Sequence, residues 1–294
     1  MKHKSKTLAP NAGLETEVVF AFDRVRFWVD RPELPLSEKQ TKAIESRCSE
    51  FKVTTGQMTY QARWKARVEL FQPTIGCLAL MRQAMGNDVA TLITYAESAC
   101  DILAQGERRA VELRDAFLGS AKMLYQRQPV VPDDHWTTWY FGRRAEDEED
   151  GKYRCRVLAV YADKPSKLNN ARPSQTSPPD MHMELRESGA PALANDGIVS
   201  LGDVIGFNHI GMWDRHVRMY VLPRRTDLGR MLAEMAGADP NVSTTALRRR
   251  AGRWIKVHSV GGVFVMHNAL LANPELVRRF QSMSFSDWLE NILL

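Results

Sequence analysis

The chain has 294 residues, with 40 Lys and Arg against 35 Asp and Glu, a net charge of +5 and 44% apolar residues. That is the composition of a soluble globular protein of one or two domains, and no run of 18 apolar residues exists to form a membrane-spanning helix. Residues 1–7 are basic with no apolar stretch behind them, which excludes a secretory signal, so a cytoplasmic protein with no membrane contact is expected.

Residues 1–17 are polar and read as a flexible N-terminus. Residues 18–29 form the first strand: Val19, Ala21, Val25, Phe27 and Val29 alternate with Phe22, Arg24, Arg26 and Trp28, and Asp23 falls on the apolar-looking face. Arg31-Pro32 breaks the strand, and Ser37 caps a helix running to about Arg47. Residues 51–72 read as a hairpin turning near Gly56, with Arg63, Lys65 and Arg67 on the return strand. Residues 75–85 form a short helix stopped by Gly86-Asn87.

Residues 91–103 are the next strand. One face carries Ile93, Tyr95, Glu97, Ala99 and Asp101, the other Leu92, Ala96, Cys100 and Ile102. An amphipathic helix is expected over 107–125, with Ala110, Leu113, Phe117, Ala121 and Leu124 as its stripe. Three strands follow at 136–142, 155–163 and 181–186, separated by an acidic loop (146–150) and an Asn-, Ser- and Pro-rich loop (169–179). Residues 198–207 and 227–236 read as helices, and Gly237-Ala238-Asp239-Pro240 sets off a C-terminal segment.

The pattern predicts an α+β fold: a mainly antiparallel sheet with helices packed on one face and a small C-terminal helical segment. Two sheet-then-helix halves would fit a duplicated sheet. The expected organisation is an N-terminus (1–17), a main domain (18–236), and a C-terminal segment (237–294) for DNA or a partner. The four cysteines, Cys48, Cys77, Cys100 and Cys155, match no zinc motif and are expected as reduced thiols.

Three features bear on chemistry. His182, Glu184 and Arg186 share one face of their strand, and Glu97 and Asp101 share one face of theirs. Acidic residues inside strands need partners. Neighbouring carboxylates can hold Mg²⁺ or Mn²⁺, or form ion pairs such as Glu184 with Arg156. Tyr161 closes a strand three residues before Lys164; a tyrosine with a pKa near 10 is a poor nucleophile unless a cation stabilises its phenolate. Finally, Arg248, Arg249, Arg250, Arg253 and Lys256 cluster in the C-terminal segment, matching either a solvated helix face or phosphate contacts.

In order along the chain stand Asp101 in a strand, Thr138-Trp139-Tyr140-Phe141-Gly142, Val157-Leu158-Ala159-Val160-Tyr161-Ala162-Asp163-Lys164, and His182-Met183-Glu184-Leu185-Arg186. Gly197-Ile198-Val199-Ser200-Leu201-Gly202-Asp203-Val204-Ile205 follows them. This order resembles the rolling-circle replication initiators of the filamentous-phage gene II type and of Gram-positive plasmids. The resemblance spans roughly residues 18–235. It implies an origin-binding protein that nicks one strand and forms a 5′-phosphotyrosine, later rejoining the strand. Tyr161 would be the nucleophile, Lys164 would steady the phosphate or phenolate, Asp101 and Glu184 would bind metal, and Glu97 would be a further ligand. Arg63, Lys65, Arg67 and the 248–256 cations would contact DNA, and a host helicase or a second copy would be the protein partners. The chain departs from the better-known initiators in lacking a His-hydrophobic-His metal motif: His135, His182 and His209 are dispersed. A relaxase of a mobilisable element would use the same chemistry, and a DNA-binding regulator would use the basic segment without any.

Overall fold

The computed structural model describes residues 17–55, 63–104, 106–142, 156–166, 178–238 and 241–293. The expected turn at Gly56, the acidic loop at 146–150, Cys155, nearly all of the flexible N-terminus and most of the 169–179 loop lie outside the described residues.

The elements run β1 (Glu17–Val29), α1 (Glu38–Glu45), β2 (Glu50–Thr55), β3 (Ala66–Phe71), α2 (Ile75–Met85), β4 (Thr91–Leu103) and α3 (Glu107–Leu118). Next come β5 (Ala121–Met123), β6 (Val130–Pro132), β7 (Thr138–Phe141), β8 (Arg156–Lys164) and β9 (Asp180–Ser188). Then α4 (Ala190–Asn195), α5 (Leu201–Ile205), α6 (His209–His216), β10 (Val217–Tyr220) and α7 (Arg225–Met235) follow. The chain closes with α8 (Thr244–Val257), β11 (Ser259–Val260), β12 (Val263–Phe264), α9 (Met266–Ala272), a 3₁₀ turn (Pro274–Arg278), β13 (Ser282–Ser284) and α10 (Phe285–Leu293).

Eight strands form one antiparallel sheet in the order β2-β3-β1-β4-β9-β8-β7-β6. The fold is therefore α+β, as the strand and helix patterns imply. One face of the sheet is apolar and carries two cores side by side. Under β1, β3 and β4, the side chains of Phe22, Val25, Phe27, Val68 and Leu70 meet Ile44 of α1, Met81 of α2, Leu193 of α4 and Leu201 of α5. Under β4, β9, β8 and β7, the side chains of Met183, Leu185, Val160 and Trp139 meet Phe117 of α3, Trp213 of α6 and Phe285 of α10. Each of these large side chains contributes roughly 1.5–3 kcal/mol on burial. Covering one face this way leaves the other for polar groups.

Two β-bulges revise the alternation expected from the sequence. In β1 the register slips between Phe22, opposite Ser98, and Arg24, opposite Glu97, so Asp23 is the extra residue between them. Phe22 and Val25 go into the core. Asp23 thus joins the polar face rather than the apolar one, which is how a bulge re-aims a side chain. A second slip, between Arg26 and Phe27, sends Ile93 into the core away from Tyr95.

The helix expected over 107–125 ends at Leu118, capped at Gly119. Ala121–Met123 instead pairs with β10, whose other edge takes β13, giving a three-stranded sheet. Ala121 and Met123 are buried there, so tertiary pairing overrides the helical stripe. The helix expected at 198–207 is the short α5, started by a Ser200–Asp203 capping box.

The segment after α7 has a core of its own making with that helix. Leu228, Ala251, Trp254, Met266, Leu270, Leu276 and Phe280 pack together. Where α7 crosses α8 the backbones nearly touch: a Cβ on Gly229 would lie 2.2 Å from the Leu247 carbonyl oxygen. Cys48, Cys77 and Cys100 are free thiols, and among the described residues no helix is long and apolar enough to cross a membrane.

Candidate active site

The strand register places the site before any side chain is considered. One rung across the polar face reads Val19, Asp101, His182, Tyr161, Thr138. The next reads Ala21, Ala99, Glu184, Ala159, Tyr140, and the one after it Arg24, Glu97, Arg186, Val157. Glu184 therefore has an alanine on both neighbouring strands, which leaves room for larger groups from the adjoining rungs to close over it.

They do. The Tyr161 hydroxyl donates to Glu184 Oε1 at 3.0 Å, and His182 Nε2 meets the same oxygen at 2.8 Å. His182 Nδ1 faces Asp101 Oδ1, so one imidazole bridges two carboxylates. Arg186 holds the other oxygen of Glu184 through Nε at 2.7 Å and also reaches Glu97, 3.6 Å away. Tyr95 donates to Glu97, and Gln72 donates to Asp23. The Tyr161 and His182 rings lie 4.5 Å apart, and Lys164 Nζ sits 5.6 Å from the centre of the Tyr161 ring. Asp101, His182, Glu184 and Glu97 are all buried, while Tyr161 is half-buried.

Four carboxyl groups thus face one imidazole and one guanidinium in a space with little water. Burial pushes the Glu97 carboxyl up to about 7, helped by the charge of Glu184. Asp23 is raised for the same two reasons. Burial disfavours a charged His182, yet hydrogen bonds to Asp101 and Glu184 outweigh it and lift the imidazole to about 10. Glu184 also suffers from burial, but His182 and Arg186 hold it well below the usual carboxylate range. Tyr161 is pushed far up, by burial first and then by Glu184 and Asp23. Raised acids and a protonated imidazole mark an excess of negative charge, which protons here offset.

A divalent cation could take over that role. Donor atoms of Asp23, His182 and Glu184 all lie within 4.8 Å of one another. One imidazole nitrogen with two carboxylates suits a divalent ion, and a carboxylate behind the imidazole, as Asp101 stands, is the usual way to orient such a ligand. Asp101 Oδ2 is buried without a hydrogen-bond partner. An ion would displace the His182 proton on binding.

The structure brings Tyr161, Glu184, Asp101 and Glu97 together, with Lys164 at the margin. Asp101 meets His182, and Glu97 meets Tyr95 and Arg186, while the converging donor set adds Asp23 and His182. His182 was legible as the alternate neighbour of Glu184; Asp23 was hidden by the bulge. The ion pair of Glu184 is with Arg186 rather than Arg156. Arg156 lies at the other face, contacting Glu187 and, at 3.3 Å, Asp196. There His216 and Arg215 complete a second acidic cluster, with His216 Nε2 2.8 Å and Arg215 Nε 3.1 Å from Asp196. Two guanidinium groups already fill it, so it ties α4 and α6 to the sheet.

No protein-family model matches this chain, and no curated protein does either. Among solved structures, the rolling circle replication initiator protein from Geobacillus stearothermophilus superposes with a TM-score of 0.38 at 10% identity, covering 70% of this chain and 88% of that one.

The other expected DNA contacts lie apart from the tyrosine. Arg63 and Lys65 are exposed, Arg63 over the Trp64 ring at 5.0 Å. Arg67 is 3.7 Å from Glu69, on the polar face with Arg24 and Arg26. Arg248, Arg249, Arg253 and Lys256 are exposed on α8, and Arg250 is half-buried.

Proposed function

We propose that the chain is a replication initiator that nicks one DNA strand through Tyr161. The observation that carries this reading is the hydrogen bond from the Tyr161 hydroxyl to Glu184 inside a buried His–carboxylate cluster. A tyrosine placed for bulk alone does not need four carboxyl groups and an imidazolium around its oxygen. The order of motifs along the chain, which resembles rolling-circle initiators, points the same way.

Single-stranded DNA would lie over the polar face of the sheet. Tyr161 Oη attacks the scissile phosphorus, forming a phosphotyrosine with the 5′ end while the P–O bond to the 3′ oxygen breaks. The phenol proton leaves toward Glu184 Oε1, the nearest acceptor. The departing 3′ oxygen takes a proton from water and, as a 3′-hydroxyl, primes synthesis; its later attack on the phosphotyrosine breaks the P–O bond to Tyr161 and rejoins the strand. Asp23, His182 and Glu184 would hold Mg²⁺ or Mn²⁺, which when bound supplies positive charge to the phosphate and to a developing phenolate. Asp101 orients His182, Arg186 keeps Glu184 ionised, and Lys164 brings a cation to the rim of the tyrosine ring.

The test is nicking of supercoiled plasmid carrying a candidate origin, with Mn²⁺ or Mg²⁺, scored for a protein–DNA adduct on a denaturing gel. The wild-type protein should nick and form the adduct, and Tyr161→Phe should form none while keeping its fold. Adducts from Tyr161→Phe at the wild-type level would remove the assignment, and nicking that survives chelation would remove the metal from it.

A further inference from the structure

We propose that α8 is the element that binds double-stranded DNA, laid into the major groove along the face that carries Thr245, Arg248, Arg249, Gly252, Arg253 and Lys256. The inference rests on the nicking function only for what the duplex is, the DNA beside the nick.

The helix is divided into two faces. Leu247, Ala251 and Trp254 pack into the core shared with α7 and α9. The opposite face is exposed and cationic, and a shallow concavity of about 620 Å³ follows it, lined by Ser243, Thr245, Ala246, Arg249, Gly252, Arg253 and Lys256. On the polar sheet face, by contrast, the arginines are matched within the molecule: Arg24, Arg26 and Arg67 with Glu69, and Arg186 with Glu184. Among the described residues, Arg248, Arg249, Arg253 and Lys256 have no acidic partner. Four unneutralised cations within three turns match an external anion with a repeating charge.

Gly252 is a separate observation. At 100° per residue it falls within this face, between Arg248 and Arg249 one turn before and beside Lys256 one turn after. Glycine weakens a helix interior, and usually a packing need explains it. Gly229, at the α7–α8 crossing, has one. Gly252 has none, since a Cβ there would meet nothing within 4 Å. A missing side chain amid cations lets another molecule approach the helix backbone closely.

The chemistry of the face selects duplex DNA over other polyanions. Single strands are held by exposed aromatic platforms, and the one aromatic residue of α8, Trp254, is buried. An anionic membrane surface needs an exposed apolar stripe, whereas the apolar stripe of α8 is in the core. A helix with side chains is about 10–12 Å across and the major groove is about 12 Å wide. Helix pairs in which the second helix enters that groove are a recurrent solution. Here the connection, residues 236–243, is longer than the usual three or four residues.

The placement of α8 gives the duplex a fixed relation to the tyrosine. The β11–β12 turn that follows α8 sits against Trp136, whose ring would lie 2.4 Å from a Cβ on Gly261. Two residues later Thr138 pairs directly with Tyr161. A duplex on α8 is thus tied through one hairpin to the strand beside the nucleophile.

The experiment uses the full chain and a fluorescein-labelled 30-base-pair duplex of mixed sequence, with anisotropy measured across a salt series. Wild-type affinity should fall steeply with salt. Arg249→Ala/Arg253→Ala should weaken binding at least tenfold and lower the log–log salt slope by about 0.9 per lost phosphate contact. Gly252→Gln, which changes no charge, should weaken binding while keeping that slope. Arg108→Ala/Arg109→Ala on α3 serves as the control of equal charge and should bind as wild type. Affinity of the α8 double variant within twofold of wild type, a loss equal to that of the control, or no duplex binding by the wild type overturns the inference. Cleavage of a single-stranded oligonucleotide separates the two readings. The α8 variant should still cut it. A wild-type protein that binds duplex through α8 but never cuts sinks the nicking function alone, and one that cuts with duplex binding indifferent to α8 sinks this inference alone.

Discussion

The polar sheet face and the outer face of α8 are both rich in arginine, and they use it in opposite ways. On the sheet, Arg186 is spent on Glu184 and Glu97, and Arg24 and Arg26 on Glu69, inside the fold. On α8 the cations face solvent and leave their charge for something outside. A basic sequence cluster therefore has no fixed meaning: Arg186, two residues from Glu184 on the same strand face, neutralises it, whereas the cations of α8 have no carboxylate beside them among the described residues. The difference also separates stability from binding. Changes on the sheet face should strike the fold, and changes on α8 should strike partners.

The sharpest way to break this comparison is Arg186→Ala. It leaves Glu97 buried without a cation and Glu184 with His182 alone, a loss of the kind that costs about 3–5 kcal/mol. Urea unfolding that shows less than 1 kcal/mol would mean the sheet-face arginine is as free as those of α8. Next is Gly229→Ala, where the new methyl must push α7 and α8 apart; overpacking of this sort costs about 1–3 kcal/mol, visible as a lower melting temperature.

The pH dependence tests the sheet face by itself. The folded pKa of His182, about 10, lies above its ordinary value of 6.5, so its contribution is complete below 6.5 and lost as pH rises through 10. Glu184 is depressed below its ordinary 4.5, so its contribution is complete above 4.5 and lost as pH falls. Glu97, raised to about 7, adds a loss as pH climbs from 4.5 through 7. The melting temperature without added metal should therefore peak between about 4.5 and 6.5 and fall by pH 9; a higher value at pH 9 than at pH 6 would contradict the bridge through His182. The smallest effect is expected on α8. Gly252→Ala meets no neighbour and restores helix propensity, so it should raise stability by about 0.5–1 kcal/mol while weakening duplex binding. A destabilised Gly252→Ala would show that the glycine serves the fold after all.

Much of this was legible in the chain. Period-two alternation located β1, β4, β8 and β9, Ser37 marked the start of α1, and the pairing of His182, Glu184 and Arg186 on one face follows from their spacing alone. What alternation cannot count is a bulge, because the extra residue becomes visible only when a partner strand supplies the register; so Asp23 read as a core-facing residue and Ile93 as a companion of Tyr95. Helical spacing likewise could not tell that Ala121 and Met123 would be claimed by β10, since the competing strand is almost a hundred residues away. Alternation, helix amphipathicity and the clustering of charge were fixed along the chain alone, because those are properties of neighbours in sequence. Tertiary structure was needed to bring Tyr161 to Glu184, to let His182 span Glu184 and Asp101, and to leave the exposed arginines of α8 without an acidic partner among the described residues. Each depends on strands and helices far apart in sequence meeting in one register, and a buried charge is stable only where such a meeting provides its partner.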